Sequence, residues 1–524
     1  MSSLHLLPLL FLILLFPILT TPSPDRDRPT YPQFLGRFSH RKPNSNSNSY
    51  SYETRYYTQQ LDHFSFIGDT LGGDSHFQQR YLLGSTDQWA RPGGPIFFYC
   101  GNEGDIAWFA ENTGFVWEIA PRFNALVVFA EHRYYGESMP YGSKEAAYSG
   151  AKSLAYLTSA QALADYATLI VDLKRNMSSE DSPVVLFGGS YAGMLAAWMR
   201  LKYPHIVIGA LASSAPILQF DDIVPADAFY NIVSNDFKRE SESCFNSIKK
   251  SWDVLEAEGK DQNGLLKLTK TFQICHTLSN TGDLLDWIDS AYSYLGMVDY
   301  PYPSDFLMPL PANPIKEVCR HVDDDSDGKT LAERIYAGVN VYYNYTGNYT
   351  CFDLDDDPHG MNGWQWQACT EMIMPLASNP ETSMFPPYDF SFADREYQCH
   401  MTYNVSIRPH WITTEFGGHN ISTVLKKFGS NIIFSNGLLD PWSGGGVLRN
   451  ISESIIALVA PLGAHHIDLR PSTDQDPDWL VNFREAEINI IEGWLSDYYH
   501  AIGASSSVLS DRLEHAGVSS RYRS

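Results

Sequence analysis

The chain has 524 residues, 44% hydrophobic and 14% aromatic, a balance that suits a large folded protein and excludes general disorder. Its formal charge of −24 would repel phosphate backbones, so no nucleic-acid partner is expected. The length exceeds one ordinary domain, which calls for an enlarged core or a second lobe.

Residues 1–21 read as a signal peptide: an apolar run over 6–19, broken by Pro8 and Pro17, is followed by Ser, Pro and Asp. The usual Lys or Arg ahead of such a run is missing. The run is shorter than the ~20 residues a span needs, and no other stretch is long and apolar enough, so no membrane association is expected after its removal. Residues 22–50, rich in Pro, Ser, Asn and Arg, read as a linker or pro-segment.

The first part of the core is placed at 51–215; from about 80 to 215 short apolar runs alternate with amphipathic stretches, the signature of a parallel sheet with crossover helices. Residues 95–99, 125–130 and 184–187 are predicted strands. Residues 159–175 form a predicted helix with Leu163, Tyr166, Leu169, Ile170 and Leu173 on one face, and 194–203 form another. From 216 to 425 the character changes to cysteines, aromatics, acidic runs and Pro-rich turns, which predicts an inserted, largely helical cap. Strand patterning resumes at 431–434 and 454–459. A helix over about 479–499 closes the second part of the core, 426–505, and leaves a tail at 506–524.

Cys244, Cys275, Cys319, Cys351, Cys369 and Cys399 all fall within the cap, as three disulfides of an oxidising compartment would. Cys100 stands apart in an apolar run and reads as a buried small hydrophobe. Six Asn-x-Ser/Thr sequons, at Asn176, Asn344, Asn348, Asn404, Asn420 and Asn450, agree with a secretory route to a lysosome, a vacuole or the exterior. There is no Cys-x-x-Cys and no His-Glu-x-x-His, so neither a metal site nor a cofactor is expected.

The chemistry concentrates in Val184-Val-Leu-Phe-Gly-Gly-Ser-Tyr-Ala-Gly193. A strand runs into small residues around Ser190 and then into a helix, the context of a nucleophile elbow. The amide of Tyr191 would then lie at a helix N-terminus, placed to stabilise an oxyanion. Ala192 takes the place of the second glycine of Gly-x-Ser-x-Gly, a small departure. A serine nucleophile needs a base and an orienting acid, and in this fold the chain order is serine, acid, histidine. Asp440 lies just past one predicted strand, and Gly463-Ala-His465-His466 just past the next. Each has a commoner structural use alone; order and placement together carry the signal. The residues do not choose between His465 and His466, and Asp468 and Arg470 suit a charge network around the latter. The glycine-rich loop Gly101-Asn102-Glu103-Gly-Asp105 is placed to add a second oxyanion donor, with Glu103 and Asp105 facing substrate or solvent. Residues 131–136 read as structural.

Gly188-Gly-Ser-Tyr-Ala-Gly193, Gly101-Asn-Glu-Gly-Asp-Ile106, Glu131-His-Arg-Tyr-Tyr-Gly-Glu-Ser138, Asn436-Gly-Leu-Leu-Asp-Pro-Trp442 and Gly463-Ala-His-His-Ile-Asp-Leu-Arg470 together resemble the lysosomal Pro-X carboxypeptidase family, which also includes dipeptidyl peptidase II. The match begins at Tyr57 and runs to the final helix. The resemblance implies an α/β-hydrolase core with a large inserted helical, disulfide-linked cap, and peptide substrates with proline at the cleavage site. It implies a triad of Ser190, Asp440 and His465, a proline pocket of Met194, Met374 and Trp442, and the pairs Cys244–Cys319, Cys275–Cys351 and Cys369–Cys399. A further cap disulfide of the relatives falls on Ala226 and Ala377 here. The carboxypeptidase branch is the closer one, with a dipeptidyl peptidase as the alternative, and a homodimer is left open. The classical serine carboxypeptidases, with Gly-Glu-Ser-Tyr-Ala-Gly, differ at Gly189. An esterase, or a silent binding protein, shares only the fold.

Overall fold

The computed structural model describes residues 50–65, 75–87, 89–90, 93–354 and 363–515. The signal peptide and nearly all of the segment 22–50 lie outside the described residues.

Eight strands form one sheet: β1 (Tyr52–Gln60), β2 (His76–Gly84), β3 (Ile96–Cys100), β4 (Leu126–Ala130), β5 (Val184–Gly189), β6 (Gly209–Ser213), β7 (Ile432–Gly437) and β8 (Ile455–Ala460), in the order β1-β2-β4-β3-β5-β6-β7-β8. β3 to β8 pair in parallel, whereas β1 pairs with β2, and β2 with β4, antiparallel. This is the α/β-hydrolase arrangement. The sheet is therefore mixed, and the hairpin β1–β2 was not legible. β1 is an edge strand whose only buried residue is Gln59, so it reads as polar. Gln59 is paired, donating from Nε2 to Gln79 Oε1 at 2.8 Å and to the Asp165 carbonyl at 2.7 Å.

The central strands β3, β4, β5 and β6 are buried throughout, as parallel strands covered on both faces must be. β6 starts at Gly209, a few residues after a turn over 204–206. A Cβ on Gly209 would lie 2.3 Å from the Trp494 ring, so the closing helix packs directly on that strand. That helix, Asp478–His515, extends past the expected end into the segment read as a tail.

Between β6 and β7 the chain is mostly helical. Cys244–Cys319 staples Glu242–Glu258 to Pro314–Val322, Cys369–Cys399 staples Gly363–Thr370 to Phe392–Tyr403, and Cys275–Cys351 ties two turns. At the two positions for which the resemblance implies a further disulfide in relatives, the Ala377 amide donates to the Ala226 carbonyl at 2.9 Å. Core and cap share one continuous hydrophobic cluster. Cys100 is buried and unpaired, and burial pushes its thiol far above the ordinary range.

Candidate active site

β5 delivers Ser190 with φ 57° and ψ −127°, and the helix Tyr191–Lys202 begins at the next residue, three earlier than expected. A non-glycine residue so placed stores roughly 1–3 kcal/mol of strain, tolerated where the surroundings over-determine it. They do so here. A Cβ on Gly188 would lie 2.2 Å from the Ala192 carbonyl oxygen, and one on Gly193 2.9 Å from that of Ser213. The glycines that must be glycine are thus 188 and 193, so alanine fits at 192. The Ser190 amide donates to the Ser213 carbonyl at 2.9 Å, and the Tyr191 amide, at the helix start, has no intrahelical acceptor.

Past the end of β7, Asp440 caps the turn Pro441–Gly445, its Oδ1 accepting from the Trp442 amide at 3.0 Å. Its Oδ2 accepts from His465 Nδ1 at 2.8 Å, and both residues are buried. That bond fixes the tautomer and leaves His465 Nε2 as the free lone pair, as a general base requires. The cap holds the histidine backbone: the His465 amide donates to the Met297 carbonyl at 2.9 Å, and Tyr300 Oη donates to the His465 carbonyl at 2.8 Å. The elbow meets this pair through His466. A Cβ on Gly189 would lie 3.0 Å from the His466 ring, and the rings of His465 and His466 are 4.2 Å apart. The residue before Ser190 therefore lies against the histidine pair whose first member Asp440 holds.

His466 is held separately. Its Nδ1 accepts from Arg470 Nη2 at 3.0 Å; burial, then the neighbouring His465 and Arg470, hold the ring well below the ordinary imidazole range. Asp468 turns away from it, accepting from Ser213 Oγ at 2.6 Å and Ser435 Oγ at 2.7 Å, so it joins β6 to β7 rather than completing a network with His466.

The loop after β3 lies beside the elbow. Asn102 Nδ2 donates to the Gly189 carbonyl at 2.9 Å, and Tyr99 Oη donates to Asn102 Oδ1 at 2.7 Å. Gly101 is fixed by close approach, since a Cβ there would lie 2.3 Å from the Ala130 carbonyl. Glu103 is buried rather than solvated, with Oε2 unpartnered among the described residues; burial pushes its carboxyl up to about 7. Asp105 is structural: it caps Ile106–Asn112 and pairs with Arg80 at 2.8 Å. Glu131 is likewise structural, accepting from Arg80 and from the Ile106 amide at 3.1 Å, and so anchors the same loop.

Met194, Met374 and Trp442 are buried in the shared cluster, and Trp442 meets Phe229 of the cap edge-on at 4.8 Å. Gln219, which carried no sequence signal, ties the segments bearing Met374 and Trp442. Its Nε2 donates to the Pro375 carbonyl at 3.0 Å, and its backbone packs against Gly445. A second unforeseen network surrounds the Tyr191 hydroxyl, which accepts from Gln367 Nε2 at 2.8 Å and donates to His132 Nε2 at 3.1 Å. Gln367 also donates to Glu371 at 3.0 Å, so the cap grips the residue next to the serine.

Five of the sequon asparagines are exposed. Asn344 is the exception: it is buried, and its carboxamide both donates to and accepts from the Tyr349 backbone at 2.9 Å. That carboxamide holds the turn that follows the helix Leu331–Asn344.

The sheet order, the strained serine turn and the Asp440–His465 pair define a serine hydrolase of the α/β-hydrolase class. The profile of the serine carboxypeptidase S28 family matches residues 59–487, and the chain belongs to that family. It is 46% identical over 456 residues to the lysosomal Pro-X carboxypeptidase of Bos taurus, covering 86% of this chain and 89% of that one. It is 44% identical over 460 residues to the human protein of the same name, covering 86% and 90%. The prolyl carboxy peptidase like protein 5 of Caenorhabditis elegans is 38% identical over 472 residues, covering 86% and 91%.

Proposed function

We propose that the chain is a serine carboxypeptidase that releases the residue following proline from the C-terminus of a peptide. The observation that carries this is the identity of 44–46% with proteins named lysosomal Pro-X carboxypeptidase, over 86% of the chain. The buried Asp440–His465 pair beside the serine turn supports it.

In this reading Ser190 Oγ attacks the prolyl carbonyl while His465 Nε2 takes its proton, and Asp440 stabilises the imidazolium. The amides of Tyr191 and of Gly101 or Asn102 receive the oxyanion. His465 then protonates the leaving amine, and water releases the acyl-enzyme by the same steps reversed. Met194, Met374 and Trp442 offer an apolar, flat-sided pocket to a ring that carries no donor. Glu103, buried beside the oxyanion loop, shapes that end of the pocket.

The segments 51–215 and 426–505 form the hydrolase core, 216–425 the cap, and the exposed sequons carry glycans on a secretory route to a lysosome or vacuole. Among the described residues no helix is long and apolar enough to cross a membrane. The test compares an N-blocked peptide ending in Pro-Phe with a free X-Pro-amide, with products read by mass spectrometry. Release of phenylalanine from the first is expected. Turnover of the second alone would assign the dipeptidyl peptidase activity instead.

A further inference from the structure

Two features beside Gly189 have no part in the scheme above. The first is a buried cation with no ion pair among the described residues. Arg470 is 2% exposed, and its Nε and Nη1 have no hydrogen-bond partner among the described residues. Its acidic neighbour in sequence, Asp468, gives both oxygens to Ser213 and Ser435. A lone guanidinium in such a place is costly unless an anion joins it. Its charge lies 4.0 Å over the Phe306 ring, and Nη2 donates to His466 Nδ1 at 3.0 Å.

The second feature is the tautomer this bond imposes. Because Nδ1 of His466 accepts, the ring proton sits on Nε2, and that nitrogen makes no hydrogen bond among the described residues. Residue 466 has φ 34°, which turns its ring against Gly189, where a Cβ would lie 3.0 Å away. A fixed N–H donor with positive charge behind it therefore stands beside both His465 and the residue preceding the nucleophile.

Covalent geometry says what belongs there. The residue leaving as a free amino acid has its carboxylate only two bonds from the nitrogen that His465 protonates, within about 2.5 Å from nitrogen to carboxyl carbon. Whatever receives that carboxylate must adjoin His465, and the His466 ring is 4.2 Å from it. We propose that His466 Nε2–H, polarised by Arg470, binds the free terminal carboxylate of the departing residue, so that this pair reads the C-terminal end of the peptide. The proposal rests on the Pro-X reading. It also accounts for the glycine at 189: a side chain there would occupy the space of the ring. A free amine in this place would face Arg470 and be repelled.

The test uses a matched pair of substrates, an N-blocked Ala-Pro-Phe and its C-terminal amide, with the full-length protein and two variants. Wild type is expected to favour the acid. Arg470→Met, which keeps the contact on Phe306 but removes the charge, is expected to lower the acid-to-amide ratio of kcat/KM about 10- to 100-fold, the weight of a hydrogen bond to a charged group. Arg470→Lys is expected to restore part of it. An unchanged ratio, whatever the absolute rates, would overturn the assignment, since a merely structural arginine would depress both substrates alike. A wild-type ratio near one would overturn it without any variant. If wild type turned over neither substrate while cleaving X-Pro-amides, the Pro-X reading itself would fall.

Discussion

Around Ser190 the structure is fixed by backbone meeting backbone: a strand, a strained turn and a helix, with glycines where a single Cβ would lie 2.2 or 2.9 Å from a carbonyl oxygen. In the cap the order comes from side chains. Three disulfides bind it, Trp287 stacks on Tyr343 at 4.1 Å, and its acids are enclosed, Asp236 buried and Asp289 and Asp299 half-buried. Burial pushes Asp236 and Asp289 up to about 8 and Asp299 to about 6. The partners facing them are few: Arg239 at 3.4 Å from Asp236, Tyr230 and Ser293 at 3.3 Å from Asp289, and the Ile315 amide at 3.2 Å from Asp299. The contrast teaches that the nucleophile turn is a geometric device, whereas the cap is a chemical one whose cohesion depends on oxidation state and pH.

Substitutions that separate chemistry from cohesion sharpen this contrast. The largest effect is expected in the core. Asp440→Asn should reduce kcat by about 10⁴-fold, because His465 loses the partner that sets its tautomer. Its thermal midpoint should move little, as the asparagine can still accept from the Trp442 amide. A parallel collapse in stability would show that Asp440 is mainly a turn former.

Removing Cys275 and Cys351 together should cost about 2–5 kcal/mol in denaturant unfolding. Fluorophosphonate labelling of the remaining folded fraction should persist. Loss of labelling before unfolding would show that the turn needs the cap more than its own contacts suggest. Gln367→Ala, which breaks the cap's hold on Tyr191, should lower kcat/KM by about 10-fold, the effect of one or two lost hydrogen bonds, with little change in midpoint.

The smallest effect is the pH dependence of stability. The folded state holds protons on Asp236, Asp289 and Asp299 more tightly than the unfolded chain does. Their stabilising contribution is therefore full below the ordinary aspartate range and is lost as pH rises through about 6 to 8. The melting temperature should fall between pH 5 and pH 8, by no more than roughly 2–4 °C for each kcal/mol lost in a chain of this size, and Asp289→Asn should flatten that slope. A midpoint that rose with pH would contradict the sign.

The same contrast decides what could be read from sequence. Ser190, Asp440 and the histidine pair were legible because each follows an apolar strand and the turn demands small residues. The three cap disulfides followed from the family resemblance. Gln219, Gln367 and Tyr300 were not legible, since no periodicity marks a residue whose partner lies far along the chain. Edge strand β1 was hidden by its polar surface, and the bonds that tie Asn344 to the Tyr349 backbone leave no mark in a sequon.

The most direct test of the account is active-site labelling with a fluorophosphonate followed by peptide mapping. Ser190 should carry the adduct in wild type, and a folded Ser190→Ala variant should carry none. An adduct on another serine, or a folded wild type that resists the probe, would contradict the central claim that this strained turn presents the nucleophile.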